Sequence, residues 1–328
     1  KNKSVSSIDW QPKARGIVAI ACIDPMTFAE KIKIIGKSIT SYVVLWSFSD
    51  PIHPLMVLEA PFDVLCIKFN PTQPTVIAGG LINGQICLWD IMEAQNKIRL
   101  RKNTRDNLGE TEIPRVRWSK LSSIEKSHKA RVNDIQWLIC GSEVQPYGEI
   151  KKTTDGHTHQ FFTASADGTV MLWDTRINQN PSRQKSRRNK GKDKDRWEYF
   201  LRFHLVTLDG TAEIGGYRLS VEDTDSTKMC GTSEDGKIFN CDWVKQIKHS
   251  LDDKSIANVV TDTYEGHHFG PVTSVERNPS NPNIILTAGD WTAKIWQLGV
   301  SHPLLTTPYR HGIITSARWS PTDRKSVV

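Results

Sequence analysis

The chain contains no run of about 18 apolar residues, which is the shortest stretch that spans a bilayer as a helix. Nevertheless, 38% of its 328 residues are apolar. We therefore expect no membrane association. The sequence begins at Lys1 with no signal-peptide pattern after it, and it stops at Ser326-Val327-Val328, which we interpret as the interior of a secondary-structure element. These ends lead us to expect a piece of a longer polypeptide. With 24% charged residues and 11 Trp, the composition is typical of a folded, soluble protein.

Paired cysteines are also missing. None of the six cysteines belongs to a Cys-x-x-Cys motif or shows paired spacing, so reduced core cysteines are favoured over disulfides or zinc ligands. This usage predicts a reducing, intracellular compartment. The cysteines are Cys22, Cys66, Cys87, Cys140, Cys230 and Cys241.

Catalytic motifs of the Gly-x-Ser-x-Gly, His-Glu-x-x-His and Cys/His types are absent. One partial match exists, because Gly231–Lys237 has the spacing of a phosphate-binding loop. Ile238 stands where that loop needs a hydroxyl, and the following residues alternate like a strand instead of opening a helix. We predict a strand, turn and strand here, no catalytic residue and no cofactor.

The stretch Asp-Gly-His-Thr-His offers Asp155, His157 and His159 as candidate metal ligands. No further ligand motif lies nearby. We expect a solvated loop and no metal site.

The formal net charge is +7, but one stretch accounts for +6 of it, since residues 183–196 hold eight cations and two aspartates. No aromatic residue occurs in that stretch before Trp197. We interpret 177–196 as a basic, solvated inserted loop; the alternative is contact with an acidic partner such as a microtubule or RNA. The cations are Arg183, Lys185, Arg187, Arg188, Lys190, Lys192, Lys194 and Arg196.

What the sequence does contain is self-similarity. A unit recurs in which an alternating strand ending in an aromatic residue is followed by an apolar strand, a tight turn and a strand ending in Trp. The step from Trp46 to Trp89 is 43 residues, within the roughly 40–45-residue period of a four-stranded propeller blade. The next terminal residues are Trp173, Cys241 in place of Trp, and Trp296. We expect the blade with Cys241 to pack less tightly.

These repeats predict an all-β WD40 β-propeller occupying residues 1–328 as a single domain. Five blades and the start of a sixth are present, the latter in 312–328. A closed propeller of seven would need further chain, so we expect the domain to be incomplete at its C-terminal end.

Asn-Gly or Asp-Gly marks the junction between the second and third strand in three copies. We predict two-residue hairpin turns there, with positive φ at both central residues. The pairs are Asn83-Gly84, Asp167-Gly168 and Asp235-Gly236. The fifth copy has Asp290-Trp291 instead, and Gly266-His267 before its first strand occupies the place of a histidine that ties the blade together.

Four insertions lengthen the connections between strands. We assign 24–40 and 140–160 to first-to-second connections, and 91–113 and 177–196 to third-to-fourth connections. In propeller topology all four would emerge on one face, opposite the Asp-Gly turns. We interpret this face as a contact surface; neutral variation in loop length is the alternative.

Several stretches resemble the propellers of dynein intermediate chains. They are FNPTQPTVIAGGLINGQICLWD (69–90), YEGHHFGPVTSVERNPSNPNIILTAGDWTAKIW (264–296) and ITSARWSP (314–321). Two further stretches, LWSFSDPIHPLMVLEAP (45–61) and SSIEKSHKARVNDIQWL (122–138), resemble the larger intermediate chain of the two-headed inner-arm (subspecies f) axonemal dyneins. The resemblance covers nearly the whole chain and departs at 177–210 and at Cys241.

The resemblance implies a non-catalytic subunit that helps to assemble and regulate an inner dynein arm in ciliary motility. Its propeller would dock on the tail of a dynein heavy chain, and other partners would be a second intermediate chain, light chains and further axonemal proteins. The implied location is the cytoplasmic cytoskeleton, in the axoneme of a cilium or flagellum. Because interfaces centre on aromatic anchors, the docking candidates are Trp291 with Asp290, and then Ser47, Asp50 and His53.

Two other functions stay open. A WD-repeat adaptor of another class, such as a ubiquitin-ligase substrate receptor, is disfavoured by the Gly-Asp-Trp-Thr turn and by the lack of a second domain in this sequence. A nucleic-acid-associated scaffold using 183–196 would bind with a steep salt dependence, and we expect no such binding.

Overall fold

The computed structural model is built of consecutive four-stranded sheets. Within the described residues there are five of them, the first of which has a short fifth strand, and the first strands of neighbouring sheets contact one another. The described residues are 3–34, 40–50, 52–103, 113–145, 148–176, 197–222, 225–244 and 258–320. Within these ranges, no helix is long and apolar enough to cross a membrane.

The first two sheets contain nine strands in chain order. The first sheet holds β1 (Ser4–Trp10), β2 (Ile17–Ile23), β3 (Ser41–Ser47) and β4 (Met56–Ala60). The second holds β5 (Val64–Phe69), β6 (Val76–Leu81) and β7 (Ile86–Asp90). Then β8 (Arg115–Val116) pairs in parallel with β4, and β9 (Lys120–Leu121) completes the second sheet. Helix α1 (Phe28–Ile34) follows β2, and helix α2 (Met92–Asn103) follows β7.

The remaining sheets repeat this order. The third contains β10 (Val132–Trp137), an inserted hairpin of β11 (Ser142–Val144) and β12 (Ile150–Lys152), and then β13 (Gln160–Ser165), β14 (Thr169–Asp174) and β15 (Leu201–His204). The fourth contains β16 (Gly216–Val221), β17 (Lys228–Ser233), β18 (Ile238–Asp242) and β19 (Val260–Thr263). The fifth contains β20 (Ser274–Arg277), β21 (Ile284–Gly289), β22 (Thr292–Gln297) and β23 (Leu305–Thr306). A 3₁₀ helix spans Ile124–Lys126.

An apolar cluster fills the space between each pair of consecutive sheets. Because side chains alternate between the two faces of a strand, each sheet can contribute to the clusters on both of its sides. Trp89, Trp173 and Trp296 lie inside these clusters and are fully buried. The predicted all-β WD40 propeller is confirmed, whereas the closed total of seven blades and the single-domain boundary stay predictions.

The fourth sheet carries Cys241 where the others carry Trp. Met229 pairs with Cys241 as Phe161 pairs with Trp173 in the third sheet, so the predicted alignment is confirmed. Phe239 and Trp243, two residues to either side, are fully buried, and both belong to the same cluster as Cys241. The Phe239 ring lies over Gly231 as the Trp89 ring lies over Gly79 in the second sheet. Phe239 thus takes the place of the missing indole, and the expected looser packing finds no support at this position.

The glycine-containing turns differ from the predicted two-residue type. In the second sheet the N–H of Gly84 donates to the carbonyl of Leu81 at 3.1 Å, and the N–H of Leu81 donates to the carbonyl of Gln85 at 2.9 Å. This is a three-residue loop in which only the glycine, with φ +88°, is left-handed. Asn83 therefore does not have the positive φ that we predicted, and the same correction applies to Asp167 and Asp235.

The stretch that resembles a phosphate-binding loop is confirmed as strand, turn and strand. Gly231 lies in β17, Gly236 lies in the turn, and Ile238 begins β18. The Lys237 ammonium pairs with the Asp235 carboxylate at 3.0 Å. No helix begins here, so the spacing of Gly231 and Lys237 does not create an anion site of the phosphate-loop kind.

One of the four insertions was assigned to the wrong connection. Residues 24–40, with α1, lie between β2 and β3, which is a second-to-third connection. They therefore emerge on the face that carries the glycine turns, which we call the turn face. Residues 140–160 lie between β10 and β13 as predicted, and 91–113 lie between β7 and β9; we call their side the loop face.

The cysteines and the Asp-Gly-His-Thr-His stretch carry no cross-link or metal cluster within the described residues. All six cysteines are free, and no group of three ligands suited to a metal was found there. Asp155 accepts hydrogen bonds from the N–H of His157 at 2.9 Å and from Nε2 of His159 at 2.7 Å, which lower its pKa to about 2. Because Thr158 and His159 are buried, the prediction of a solvated loop is wrong for the end of this stretch.

Candidate partner-binding surface

A chain of hydrogen bonds fixes the turn that presents Trp291. The indole N–H of Trp296 donates to Thr287 Oγ1 at 2.8 Å, and Thr287 Oγ1 lies 2.9 Å from His268 Nε2. Nδ1 of His268 lies 3.3 Å from Asp290 Oδ1. With the indole as the first donor, the threonine hydroxyl donates to Nε2, and Nδ1–H faces the carboxylate. All four side chains are buried, so strand, turn and preceding connection form one rigid unit.

The third sheet contains the same arrangement. Trp173 donates to Thr163 Oγ1 at 2.9 Å, His128 Nε2 lies 2.7 Å from that oxygen, and His128 Nδ1 lies 3.4 Å from Asp167. The repetition indicates a structural role for the histidine and aspartate of each unit.

The structural histidine is His268, not the predicted His267. His268 is fully buried, whereas His267 is exposed. The same geometry changes the role of Asp290, which is only 6% exposed and accepts hydrogen bonds from the N–H groups of Phe269 at 3.0 Å and Thr292 at 2.7 Å. Asp290 is therefore committed to the turn, where it also adopts a left-handed φ of +44°.

This unit predicts a loss of stability in mild acid. Burial lowers the pKa of His268, and the Asp290 carboxylate opposes that shift only in part. Burial also raises the pKa of Asp290, but hydrogen bonds from Phe269 and Thr292 outweigh it and hold that pKa below its usual value. Both groups bind fewer protons in the folded than in the unfolded chain. Stability should therefore fall as the pH drops below about 6.5, the pKa of an unfolded histidine. It should fall again below about 4, the pKa of an unfolded aspartate, as the pH approaches the lowered pKa of Asp290.

The check is the pH dependence of Tm between neutral and mildly acidic buffer. In His268→Gln the drop in Tm should be smaller than in the parent chain, because glutamine does not titrate. His311→Gln, which replaces an exposed histidine, is the matched control. An unchanged slope in His268→Gln would contradict the assignment.

Trp291 lies at the tip of this rigid turn, with 41% of its surface exposed. Two further aromatic residues lie on the same face, Phe269 at 77% and Tyr309 at 69% exposure. The amide of Phe269 bonds to Asp290, and Arg310, next to Tyr309, donates its N–H to the carbonyl of Trp291 at 3.0 Å. We call Phe269, Trp291 and Tyr309 the aromatic patch.

The aromatic patch has the features of an interaction site. Exposed aromatic residues that cluster on a fixed backbone are typical of protein-binding surfaces. Sequence reasoning missed Phe269 and Tyr309. Phe269 could have been found, since it follows the paired histidines, but Tyr309 is joined to Trp291 only by the fold.

The other predicted docking residues lie on the loop face, in the connection after β3. Ser47 is buried, and its hydroxyl lies 2.7 Å from that of Ser49. Asp50 accepts hydrogen bonds from the N–H groups of Ile52 and His53 at 3.1 and 3.3 Å, while His53 is exposed. The fold therefore does not bring these residues together with Trp291. The basic loop, 177–196, lies outside the described residues.

Comparison with known proteins gives one family match over nearly the whole chain. The model of the family described as "Dynein axonemal intermediate chain 3 WD40 domain" matches residues 1–204 and 211–328.

Individual relatives are more distant. Dynein axonemal intermediate chain 3 of Danio rerio is 27% identical over 380 residues, covering 98% of this chain and 39% of the relative. Dynein axonemal intermediate chain 2 of Homo sapiens is 28% identical over 328 residues, covering 97% and 42%. The "Dynein, 70 kDa intermediate chain, flagellar outer arm" of Chlamydomonas reinhardtii is 24% identical over 323 residues, covering 98% and 45%. The chain thus spans less than half the length of these relatives.

Proposed function

Because the chain belongs to the family of the axonemal dynein intermediate chain WD40 domain, we propose that it is a non-catalytic intermediate-chain subunit of an inner-arm axonemal dynein. The names of its relatives, axonemal and flagellar, support a place in the axoneme of a cilium or flagellum. In this role the propeller docks on the tail of a dynein heavy chain and helps to assemble and regulate the motor. A second intermediate chain and light chains of the same complex are the further partners.

The observation that carries the docking proposal is the aromatic patch. Trp291 is held by a turn whose aspartate is locked by His268 and Thr292, so its backbone loses little freedom when a partner binds. Interfaces obtain much of their affinity from such pre-ordered aromatic anchors. Asp290 supports the anchor from within, and we do not assign it a direct contact.

We expect Trp291→Ala to weaken binding of the heavy-chain tail by about tenfold or more, since truncation of an aromatic anchor commonly removes about 2 kcal/mol of binding free energy. The measurement is a pull-down of purified heavy-chain tail, followed by titration. Trp10→Ala is the comparison variant, because Trp10 is 57% exposed and ends β1 on the loop face, where it stacks on Phe48 beside the docking candidate Ser47. A loss of binding in Trp10→Ala and not in Trp291→Ala would move the docking to the loop face. Arg187→Glu with Arg188→Glu tests the basic loop in the same assay. Undiminished binding by Trp291→Ala would remove this anchor.

The class of arm needs its own test, because one relative is named for the outer arm. Tagged chain expressed in ciliated cells should co-purify with inner-arm heavy chains. Recovery with outer-arm heavy chains alone would replace the inner-arm proposal, while leaving the role of an intermediate chain intact.

A further inference from the structure

The turn that carries Trp291 departs from the other turns on its face. In the second, third and fourth sheets the residue at this position is a left-handed glycine, namely Gly84, Gly168 and Gly236. In the fifth sheet Gly289 pairs with Thr292, which leaves a two-residue turn and moves the left-handed φ onto Asp290. A left-handed aspartate is less favourable than a left-handed glycine, and such departures from a repeat are typical of functional positions.

The segment that packs on this turn departs from the repeat as well. The N–H of His268 donates to the carbonyl of Gly236 at 3.1 Å, and the N–H of Arg310 donates to the carbonyl of Trp291 at 3.0 Å. Arg310 thus has the backbone position, one sheet later, that the structural histidine has at the junction of the fourth and fifth sheets. His268 is fully buried, whereas Arg310 is exposed. At the later junction a glycine and a histidine of the repeat are therefore replaced by an exposed tryptophan and an exposed arginine.

The acidic side chains near the aromatic patch do not pair with Arg310 in the described part of the chain. Asp290 is buried and accepts hydrogen bonds from backbone N–H groups. Glu265 Oε2 lies 3.3 Å from Nε2 of His302, and Asp235 pairs with the lysine two residues on at 3.0 Å. The guanidinium of Arg310 therefore has no carboxylate partner among these residues.

The make-up of this surface favours a protein segment as its occupant. The three rings of the aromatic patch offer apolar contact, while a single unpaired guanidinium suits a single negative group. A nucleic acid or an anionic membrane would require a row or cluster of cations, which the described residues around the patch do not provide. A carboxylate beside apolar side chains fits both features, because the fork of a guanidinium pairs with a carboxylate through two parallel hydrogen bonds.

We propose that the partner segment that docks on the aromatic patch presents an aspartate or glutamate carboxylate to Arg310, next to apolar side chains that pack on Trp291 and Tyr309. This inference rests on the proposed function, since it takes the occupant of the patch to be the heavy-chain tail, and it adds Arg310 as a binding residue. Tryptophan, tyrosine and arginine are the residue types most enriched among those that dominate the energy of interfaces.

Charge variants of Arg310 test the proposal in a titration of purified heavy-chain tail. Arg310→Glu should weaken binding by about tenfold or more and Arg310→Gln by less, because the first repels the carboxylate and the second only loses the attraction. Added salt should weaken the parent complex more than the Arg310→Gln complex, since salt screens an ion pair. Arg202→Glu is the matched control, because Arg202 is an exposed arginine of β15 at the edge of the third sheet. Circular dichroism verifies that each variant is folded.

A charge exchange identifies the carboxylate. Each Asp and Glu of the tail is replaced singly by Lys, and one replacement should weaken binding to the parent chain by about tenfold. Arg310→Glu should bind that tail variant more tightly than it binds the parent tail, because the exchanged pair again has opposite charges. A purely structural role of Arg310 would produce no such rescue.

The opposing outcomes are distinct. Equal affinity of Arg310→Glu and the parent chain would overturn this inference, while a loss of binding in Trp291→Ala alone would leave docking on the patch intact. Failure of the parent chain to bind the tail would overturn the proposed function and this inference with it. Binding of single-stranded RNA or phosphatidylserine vesicles by the parent chain, lost in Arg310→Glu and accompanied by no binding of the tail, would assign the patch to that ligand instead.

Discussion

Replacing Trp296 with alanine should lower the free energy of unfolding by about 3–5 kcal/mol, whereas the same replacement at Trp291 should lower it by less than about 1 kcal/mol. The two tryptophans are five positions apart and are joined by β22. Trp296 is fully buried, lies 5.5 Å from the Tyr264 ring and donates to Thr287. Its removal leaves a cavity between the fourth and fifth sheets and an incomplete hydrogen-bond chain.

Thermal and denaturant unfolding, followed by circular dichroism at one protein concentration and scan rate, measure both variants against the parent chain. The same measurement is a control for the docking assay. If Trp291→Ala lowers the free energy of unfolding only slightly, a loss of heavy-chain binding in that variant cannot be attributed to unfolding. A large destabilisation by Trp291→Ala would mean that its ring packs against the protein more than its exposure indicates. A small one by Trp296→Ala would contradict the structural role of the hydrogen-bonded unit.

The repeat was predictable because its strongest signals are local. A strand that ends in Trp and follows an Asn-Gly or Asp-Gly turn carries its period in the sequence, and the tryptophans fall in equivalent pairing positions. Even Cys241 could be aligned with these tryptophans, since its strand has the usual length and follows the usual Asp-Gly turn. The rings of Phe239 and Trp243 that fill its cluster are contributed by the same strand and the residue after it, but their burial depends on the neighbouring sheet.

The errors arise where one residue decides the geometry. Asn-Gly is compatible with two- and three-residue turns, and only the hydrogen bond between Leu81 and Gln85 distinguishes them. His267 and His268 are adjacent in the sequence, and the partner Thr287 selects between them. The insertion 24–40 was assigned to a first-to-second connection, but two strands precede it, because the chain turns back at Gly16 between β1 and β2.

The candidate site was predictable only in part. An aromatic residue on a turn suggested Trp291, and its exposure agrees with that interpretation. The burial of Asp290 could not be seen, because its donors Phe269 and Thr292 lie on different elements. The depression on the loop face between Gln11 and Gln95 combines the connection after β1 with helix α2, and no pattern in the sequence relates these two segments.

The second large effect is expected at Gly236, the glycine inside the stretch that resembles a phosphate-binding loop. Its φ is +94°, and a Cβ added there would collide with the backbone carbonyl of His268. Gly210 also has a left-handed φ, of +71°, but a Cβ added there would meet no atom within 4 Å. Gly210→Ala should therefore cost only the left-handed conformation, about 1–2 kcal/mol, while Gly236→Ala should lower the free energy of unfolding by more than about 3 kcal/mol.

The difference in unfolding free energy between Gly236→Ala and Gly210→Ala measures the collision with His268 separately from the cost of a left-handed alanine. In the second sheet a Cβ at Gly84 would meet the carbonyl of His128 in the same way, so the turn glycine of one sheet touches the structural histidine segment that leads into the next. The N–H of His268 in turn donates to the Gly236 carbonyl at 3.1 Å. A Cβ at 236 must therefore displace His268 and loosen its bonds to Thr287 and Asp290. Equal losses of stability in Gly236→Ala and Gly210→Ala would mean that the glycine serves only its own turn; a larger loss at 236 is what a coupling between blades requires.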